Sequence, residues 1–361
     1  MAGIYVHIPF CHAKCAYCDF FSTPRLDLTE KVIDGILLEY ERRRSELGDS
    51  PVNTIYFGGG TPSCIDSCML ERLCRALPMA EACERTIEVN PEDVDSARAG
   101  LWRTLGFNRV SMGVQSLLDS ELAAVGRRHT ADAALKAIKT LRGAGFDNIS
   151  CDLIYGLPGQ TPDTWLYSLD TLLATGIEHL SAYSLGYEPG TRLTAMLMAG
   201  KIKPVDDDIV ADMYATLCRQ AAEAGMEHYE ISNFARPGCR SRHNSSYWDG
   251  TPYLGLGPGA HSLAADGIRR AAPHDIKAWL AAGASIEEET PVDRINDIII
   301  TALRTADGLD TAVLPADART CVVQAARPYI IKGWLVQHGS WLHIPECHWL
   351  VSDAIMRDLL L

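Results

Sequence analysis

The strongest restriction on the fold is an alternation. Short apolar runs at Ile4–Ile8, Asn53–Phe57, Thr86–Val89, Arg109–Gly113, Asn148–Ile154 and His179–Leu185 are each followed by sequence with helical character. The first such stretch, from Thr29, carries Val32, Ile33, Ile36, Leu37 and Tyr40 on one helical face. Strand–helix alternation predicts a parallel sheet with right-handed crossovers. Six units suit an open, partial (β/α)6 barrel better than a closed eight-fold one. Parallel α/β folds carry their working residues at the carboxyl ends of strands. Polar or glycine-rich positions fall there: the loop after Ile8, Gly58 to Thr61, Glu88, Gln115, Asp152 and Tyr183. The expected shape is one cup with its mouth at the first loop.

That loop reads Cys11-His12-Ala13-Lys14-Cys15-Ala16-Tyr17-Cys18. It is short enough to turn three thiolates toward one point, and Asp19-Phe20-Phe21 supplies no fourth. Three cysteines on a [4Fe–4S] cluster leave one iron position open, whereas four would close it. A zinc site completed by His12 or a distant cysteine is the alternative, and three free thiols a further one.

Composition narrows the class. Hydrophobic residues at 47% and charged residues at 22% are ordinary for a soluble globular chain. No apolar run approaches the roughly 18 residues of a membrane span, and no secretory leader is expected. Twelve cysteines at irregular spacing do not read as a disulfide framework, which points to a reducing cytoplasm. A net charge of −13 argues against a nucleic-acid surface. Arg42-Arg43-Arg44 reads as a solvated helix face.

After Gly186 the pattern changes. A helix is expected over Asp207–Ala224 and a strand over Tyr229–Phe234. A long loop is expected from Arg236 to Gly259, then a helix near Pro273–Ala281 and the acidic spacer Glu287-Glu288-Glu289. From Pro291 a smaller unit begins, with a helix near Ile295–Arg304 and a hairpin through Trp334 and Trp341 before a last helix. The domain expectation is therefore a barrel at 1–230, a connecting region at 231–290, and a winged-helix-like α+β module at 291–361.

An open iron inside such a cup suits S-adenosylmethionine (SAM), whose amino and carboxylate groups can chelate it; the radical chemistry belongs to the cofactor. Gly58-Gly59-Gly60-Thr61 would let backbone approach the methionine moiety. Glu88 could take its ammonium and Arg127 its carboxylate, with Gln115 and Asp152 on the ribose. Singly, each is equally readable as a turn or a salt-bridged residue.

Tyr5-Val6-His7-Ile8-Pro9-Phe10-Cys11 through Cys18, Gly58 to Pro62, and Asp152 to Gly159 resemble the radical SAM family of oxygen-independent coproporphyrinogen III oxidases and their relatives, over nearly the whole chain. The resemblance implies cluster ligation by Cys11, Cys15 and Cys18. It also implies SAM contacts from Tyr5, Gly59, Gly60, Thr61, Glu88, Gln115, Arg127 and Asp152, with Tyr17 as the adjacent aromatic. A second SAM can share that site. The oxidases carry a fourth cysteine where Phe20 stands, and an extension before the first strand where this sequence has Met1-Ala2-Gly3. His243-Asn244-Ser245-Ser246-Tyr247-Trp248 instead is similar to the H-N-x-x-Y-W signature of HemW-type haem chaperones.

That family implies bound haem as cargo, acceptor proteins such as respiratory enzymes, and a homodimer as an oligomeric option. It further implies a cytoplasmic site with membrane association through a partner, and no classical turnover. On the residues themselves, His243 could ligate iron with Tyr247 and Trp248 against the porphyrin. Equally, His243 could serve as a hydrogen-bonding cap over packed aromatics. Cys239, His228 and His261 are the other ligand candidates. A radical SAM reaction on a tetrapyrrole, as in coproporphyrinogen III oxidation, is the competing function, and an interaction protein with a structural cluster the third.

Overall fold

A computed structural model describes residues 1–78 and 82–361. The six expected strands are β1 (Ala2–Ile8), β2 (Val52–Gly59), β3 (Glu84–Val89), β4 (Arg109–Gln115), β5 (Ile149–Tyr155) and β6 (His179–Ser184). Each pairs in parallel with the next. The crossovers carry α1 (Thr29–Arg43), α2 (Ser67–Ala76), α3 (Ser96–Thr104), α4 (Asp119–Ala124), α5 (Ala131–Gly143) and α6 (Pro162–Leu173). Strand periodicity then sorts the side chains. Val110, Met112 and Val114 of β4 are fully buried in the helix-facing core, whereas Arg109, Ser111, Gly113 and Gln115 line the interior of the cup. On β1, Ile4, Val6 and Ile8 share that core with Val32, Ile33 and Ile36 of α1, each such burial contributing about 1.5–3 kcal/mol.

The chain continues through α7 (Arg192–Met198), α8 (Asp207–Glu223), β7 (Glu227–Glu230) and β8 (Asn233–Ala235). The single strand expected over Tyr229–Phe234 is a hairpin instead, with β8 antiparallel to β6. Its turn is pinned by the Glu230 carboxylate, which accepts from the Ser232 N–H at 3.1 Å and from the Asn233 amide.

The expected long loop at 236–259 is also structured. It holds α9 (Arg242–Asp249) and β9 (Tyr253–Leu256), so the His243–Trp248 motif lies on a helix rather than in a loop. Ser241 accepts from the Asn244 N–H to start α9, and Gly250, at φ 72°, ends it in the left-handed conformation glycine tolerates. β9 pairs in parallel with β1, Gly3 opposite Tyr253 through Val6 opposite Leu256, as a seventh parallel strand. β10 (His261–Leu263), β11 (Arg269–Ala271), α10 (Ile276–Ala282) and β12 (Ser285–Ile286) follow. The strands make one twelve-stranded mixed sheet in the order β12-β11-β10-β9-β1-β2-β3-β4-β5-β6-β8-β7.

The C-terminal part comprises α11 (Pro291–Leu303), β13 (Leu309–Asp310), α12 (Ala316–Ile331), β14 (Val336–His338), β15 (Trp341–His343) and α13 (Ser352–Leu359). The expected hairpin is β14–β15, and Leu309–Asp310 adds the third strand in the order β13-β15-β14. Among the described residues no helix is long and apolar enough to cross a membrane.

One basic residue departs from expectation. Arg42 and Arg44 are exposed, but the Arg43 side chain is only 11% exposed. Its guanidinium donates to Glu39 Oε1 at 2.7 Å, to the Gly255 carbonyl at 3.1 Å and to Ser262 Oγ at 2.8 Å. Glu39 in turn accepts from the Gly257 N–H and the Trp279 indole. The pair fastens α1 to β9 and β10. Breaking a buried pair strands its partner, so Arg43→Ala is expected to lower unfolding free energy by about 3 kcal/mol. Arg42→Ala and Arg44→Ala should stay within about 0.5 kcal/mol. Urea unfolding of the three variants checks this, and equal losses would contradict it.

Candidate functional site

The cysteine loop is held at both ends before its thiols are placed. Cys11 N–H donates to the Thr23 carbonyl, Thr23 N–H to that of Pro9, and Ala16 N–H to that of Val125. His7, at the end of β1, stacks on Phe21, hydrogen-bonds the Phe21 carbonyl through Nε2 at 3.1 Å, and meets the Tyr5 hydroxyl at Nδ1. The glycines of Gly58-Gly59-Gly60 are required by this packing. A Cβ on Gly59 would stand 2.7 Å from the His7 ring, and one on Gly60 2.5 Å from the Phe10 carbonyl oxygen. Their need is thus first an intramolecular one, between β2 and the start of the cysteine loop.

Cys11, Cys15 and Cys18 line the mouth of a cavity of about 500 Å³ that descends into the cup. Thr61 donates to Cys11 Sγ at 3.3 Å, and Arg127 reaches Cys15 Sγ at 3.6 Å. Among the described residues, only one trio of Cys, His or carboxylate ligand atoms lies within 4.8 Å of one another, and it is not this one. Three sulfurs spread wider than the shell of a single zinc ion fit a bulkier group.

Of the expected SAM contacts, Tyr17, Gly59, Gly60, Thr61, Glu88, Gln115, Arg127 and Asp152 all line this cavity. Tyr5 does not. It lies in mid-strand opposite Tyr56, with its hydroxyl on His7 and its ring beside that of His243. Gln115 stands apart in its backbone, since φ of 67° makes it the one non-glycine among the described residues in the left-handed region. Such a residue costs about 1–3 kcal/mol and marks functional sites. Arg127 donates to the Gly113 carbonyl at 2.5 Å and the Asn90 side chain at 2.9 Å, which sets the guanidinium between the cysteine loop and β4.

Two half-buried carboxyls face this space. Burial pushes Glu88 up to about 7, helped by the nearby Asp152 and opposed by donors from the Tyr56 hydroxyl at 2.8 Å and the Gly59 N–H at 3.1 Å. Burial likewise raises Asp152 to about 6, against Ser181, Arg109 and Arg127. Arg109 is the residue that attention to strand ends overlooks. It opens β4 at the amino end, is 1% exposed, and points its guanidinium into the cavity with Nε and Nη1 unpartnered. Arg127 Nε is likewise buried without a partner. Unpaired buried donors beside two poised carboxyls are polar capacity that a zwitterionic, hydroxyl-rich ligand can use. A cluster at the sulfurs and SAM behind it fit these residues.

The second expected site assembles differently. His243 is 1% exposed at the floor of the cup, and burial lowers it to about 3, so the ring is neutral. Nδ1 meets Thr54 Oγ1 at 2.8 Å and Nε2 meets the Tyr247 hydroxyl at 2.9 Å, with Tyr56 stacked at 5.2 Å. The Glu84 carboxylate accepts both the Arg242 and His243 N–H groups at 3.0 Å. Tyr247 packs edge-on to Tyr253 of β9, and Trp248 lies under the Arg304 guanidinium of the C-terminal part. The motif therefore plugs the base of the cup, and only its Asn244 reaches the cavity. Cys239 is partly buried, His228 sits at the junction with the C-terminal part, and His261 is half-exposed beside Glu287; none is brought to His243.

A model of the radical SAM superfamily matches residues 5–172. The heme chaperone HemW of Mycobacterium tuberculosis is 34% identical over 99% of this chain and 94% of its own. That of Synechocystis is 35% identical over 88% and 81%. The solved coproporphyrinogen III oxidase HemN of Escherichia coli, a radical SAM enzyme, superposes with a TM-score of 0.84 at 23% identity, over 99% of this chain and 89% of that one. A three-cysteine loop opening onto the polar interior of a parallel cup thus defines a radical SAM protein. Within that superfamily, the chain belongs to the HemW family.

Two predictions follow from the buried polar groups. Glu88 and Asp152 hold protons more tightly folded than unfolded, where carboxyls titrate near 4. Their contribution is full below about 4 and is lost as pH rises through about 6 and then about 7. Unfolding free energy of SAM-free protein should fall between pH of about 5 and 7.5, and Glu88→Gln should remove much of the fall; a flat wild-type profile would contradict this. His243→Ala should cost about 3 kcal/mol by urea unfolding, because Thr54 and Tyr247 lose a buried partner.

Proposed function

We propose that the chain holds a [4Fe–4S] cluster on Cys11, Cys15 and Cys18, binds SAM on the wall behind it, and carries haem for delivery to acceptor proteins. The observation that carries the first part is the convergence of the three thiols, Glu88, Asp152 and the unpaired Arg109 on one cavity. Similarity to heme chaperones over nearly the full length supports the second. A bound cluster with an open iron supplies the electron for reductive cleavage of SAM.

The residues supply everything else. Glu88, ionised above about 7, offers a carboxylate to a cationic group. Asp152 and Gln115 offer acceptors at neighbouring strand ends, suited to ribose hydroxyls. Arg127 fixes the cysteine loop against β4 and attracts a carboxylate. Tyr17 and the loop itself roof the space from solvent. SAM affinity of cluster-loaded protein should therefore rise as pH climbs from about 6 to 8. Glu88→Gln should lower affinity about tenfold at pH 8 and flatten the dependence. An unchanged affinity would remove Glu88 from the site.

For haem, both ring nitrogens of His243 are engaged, so iron ligation there requires α9 to leave the floor of the cup. Tyr247→Phe removes the partner of Nε2 and should tighten haem binding several-fold if His243 is the ligand. The test is an anaerobic haem titration of cluster-loaded protein followed in the Soret band. Saturable binding near one equivalent is the expected result. An unaltered affinity in Tyr247→Phe moves the ligand elsewhere. Absence of saturable binding, with SAM-dependent turnover of coproporphyrinogen III, would replace the chaperone by an oxidase, a reading the HemN-like fold keeps in view.

A further inference from the structure

A second cluster of ligating side chains lies outside the cup, where the β7–β8 hairpin meets the C-terminal part. His228 of β7, Cys218 of α8 and Glu346, which follows β15, present Nδ1, Sγ and a carboxylate oxygen all within 4.8 Å of one another. Nδ1 is 2.7 Å from Glu346 Oε1 and 3.8 Å from Cys218 Sγ. The other ring nitrogen, Nε2, faces the Ile231 carbonyl at 3.1 Å. The ring is clamped in this pose, stacked on Phe234 at 3.9 Å and edge-on to Trp349 at 4.2 Å.

This places an imidazole between two acceptors. A neutral ring has one N–H, so one of its two short contacts would set lone pair against lone pair. Either the ring carries a second proton or something else stands at Nδ1. A cation at Nδ1 resolves the conflict. Nε2–H then donates to the Ile231 carbonyl, the backbone contact that commonly fixes a metal-bound histidine, and Glu346 and Cys218 face the ion.

We propose that Cys218, His228 and Glu346 form a binding site for a divalent, borderline-soft cation of the zinc type, which fastens the C-terminal part to the end of the barrel sheet. A thiolate, an imidazole and a carboxylate are the donor mix such an ion takes, with water in the fourth position. Zinc bond lengths of about 2.0 Å to nitrogen and 2.3 Å to sulfur set N···S near 3.5 Å and N···O near 3.3 Å in a tetrahedron. Cys218 Sγ needs to move in by a few tenths of an ångström and Glu346 to swing out by about half an ångström. Glu346 is free to do so, its side chain being 53% exposed, and the same exposure gives the ion its way in. Burial holds the Cys218 thiol up at about 12, so binding releases its proton to solvent.

The location gives the ion a structural task. The surrounding seam already holds the Glu230–Thr305 bridge, the Arg304–Glu230 ion pair at 3.1 Å and the Ala306 N–H donation to the Tyr229 carbonyl. Cation binding would tie α8, β7 and the segment after β15 at one point. The site shares no residue with the cavity, so it stands whether or not the proposed cargo is correct.

The test uses anaerobic, cluster-loaded protein, in which iron occupies Cys11, Cys15 and Cys18, equilibrated with Zn2+ against a chelator of known affinity. Elemental analysis should find one zinc per chain beyond the cluster iron. Cys218→Ser and Glu346→Gln should each weaken zinc binding at least tenfold without changing iron content. Cys347→Ser, at the exposed neighbouring thiol, should leave it unchanged. Zinc should raise the melting temperature of the wild type but not of Glu346→Gln. Failure to retain zinc, or equal retention by both ligand variants, would overturn the site and leave an imidazolium–carboxylate pair.

Discussion

Everything in this molecule depends on a parallel sheet whose inner face is polar. Parallel strands are usually apolar on both sides because helices cover both. Here the crossover helices cover only the outside, and the inside carries Thr54, Tyr56, Arg109 and Ser111, all buried, with Glu88 and Asp152 facing the cavity. A buried polar group costs free energy unless it is paired, so the interior must be a network with a top and a bottom. At the bottom, Glu84, Thr54 and Tyr56 engage α9, and the network closes on itself. Along the cavity wall, Arg109 at the amino end of β4 and Arg127 beside the cysteine loop keep donors without partners. The base contacts with α9 and the cavity wall thus differ in whether the chain satisfies its own polar groups.

The same contrast accounts for what could be read from the sequence. The six strands were legible because their outward residues, such as Val110, Met112 and Val114, keep strict alternation, and the cysteine spacing fixed the mouth. Carboxyl-end positions led to Glu88, Gln115 and Asp152, which do line the cavity. Arg109 escaped because it opens its strand, yet the period-two run Arg109, Ser111, Gly113, Gln115 would have revealed it. Tyr5 was expected at the cavity, but its partner Tyr56 lines that space while the Tyr5 ring sits among His7, Tyr56 and His243.

The segment from 236 to 259 was illegible for a different reason. His243 to Trp248 is too short and too polar for an apolar face to stand out, and α9 is held by its Ser241 cap and by the Glu84 carboxylate, which belongs to β3. β9 is four residues with a glycine inside, and only its neighbours make it a strand. Both are stabilised by partners far away in sequence, which no local pattern reports. Arg43 was misjudged likewise, its partners lying on strands that had not been recognised.

The pairing of β9 with β1 has a consequence for how the molecule is made. Residue 3 leaves the ribosome long before residue 253, which must arrive before the outer edge of its strand is covered. Contacts so distant in sequence form late, since chain closure must precede them. The strand that leads into the cysteine loop is therefore exposed along one edge for most of synthesis. Until Tyr253–Leu256 docks and α9 follows Glu84 into the base, the growing barrel is open at its first strand as well as at its mouth. Over that interval the loop of Cys11, Cys15 and Cys18 is tethered to a strand whose outer edge is still unpaired.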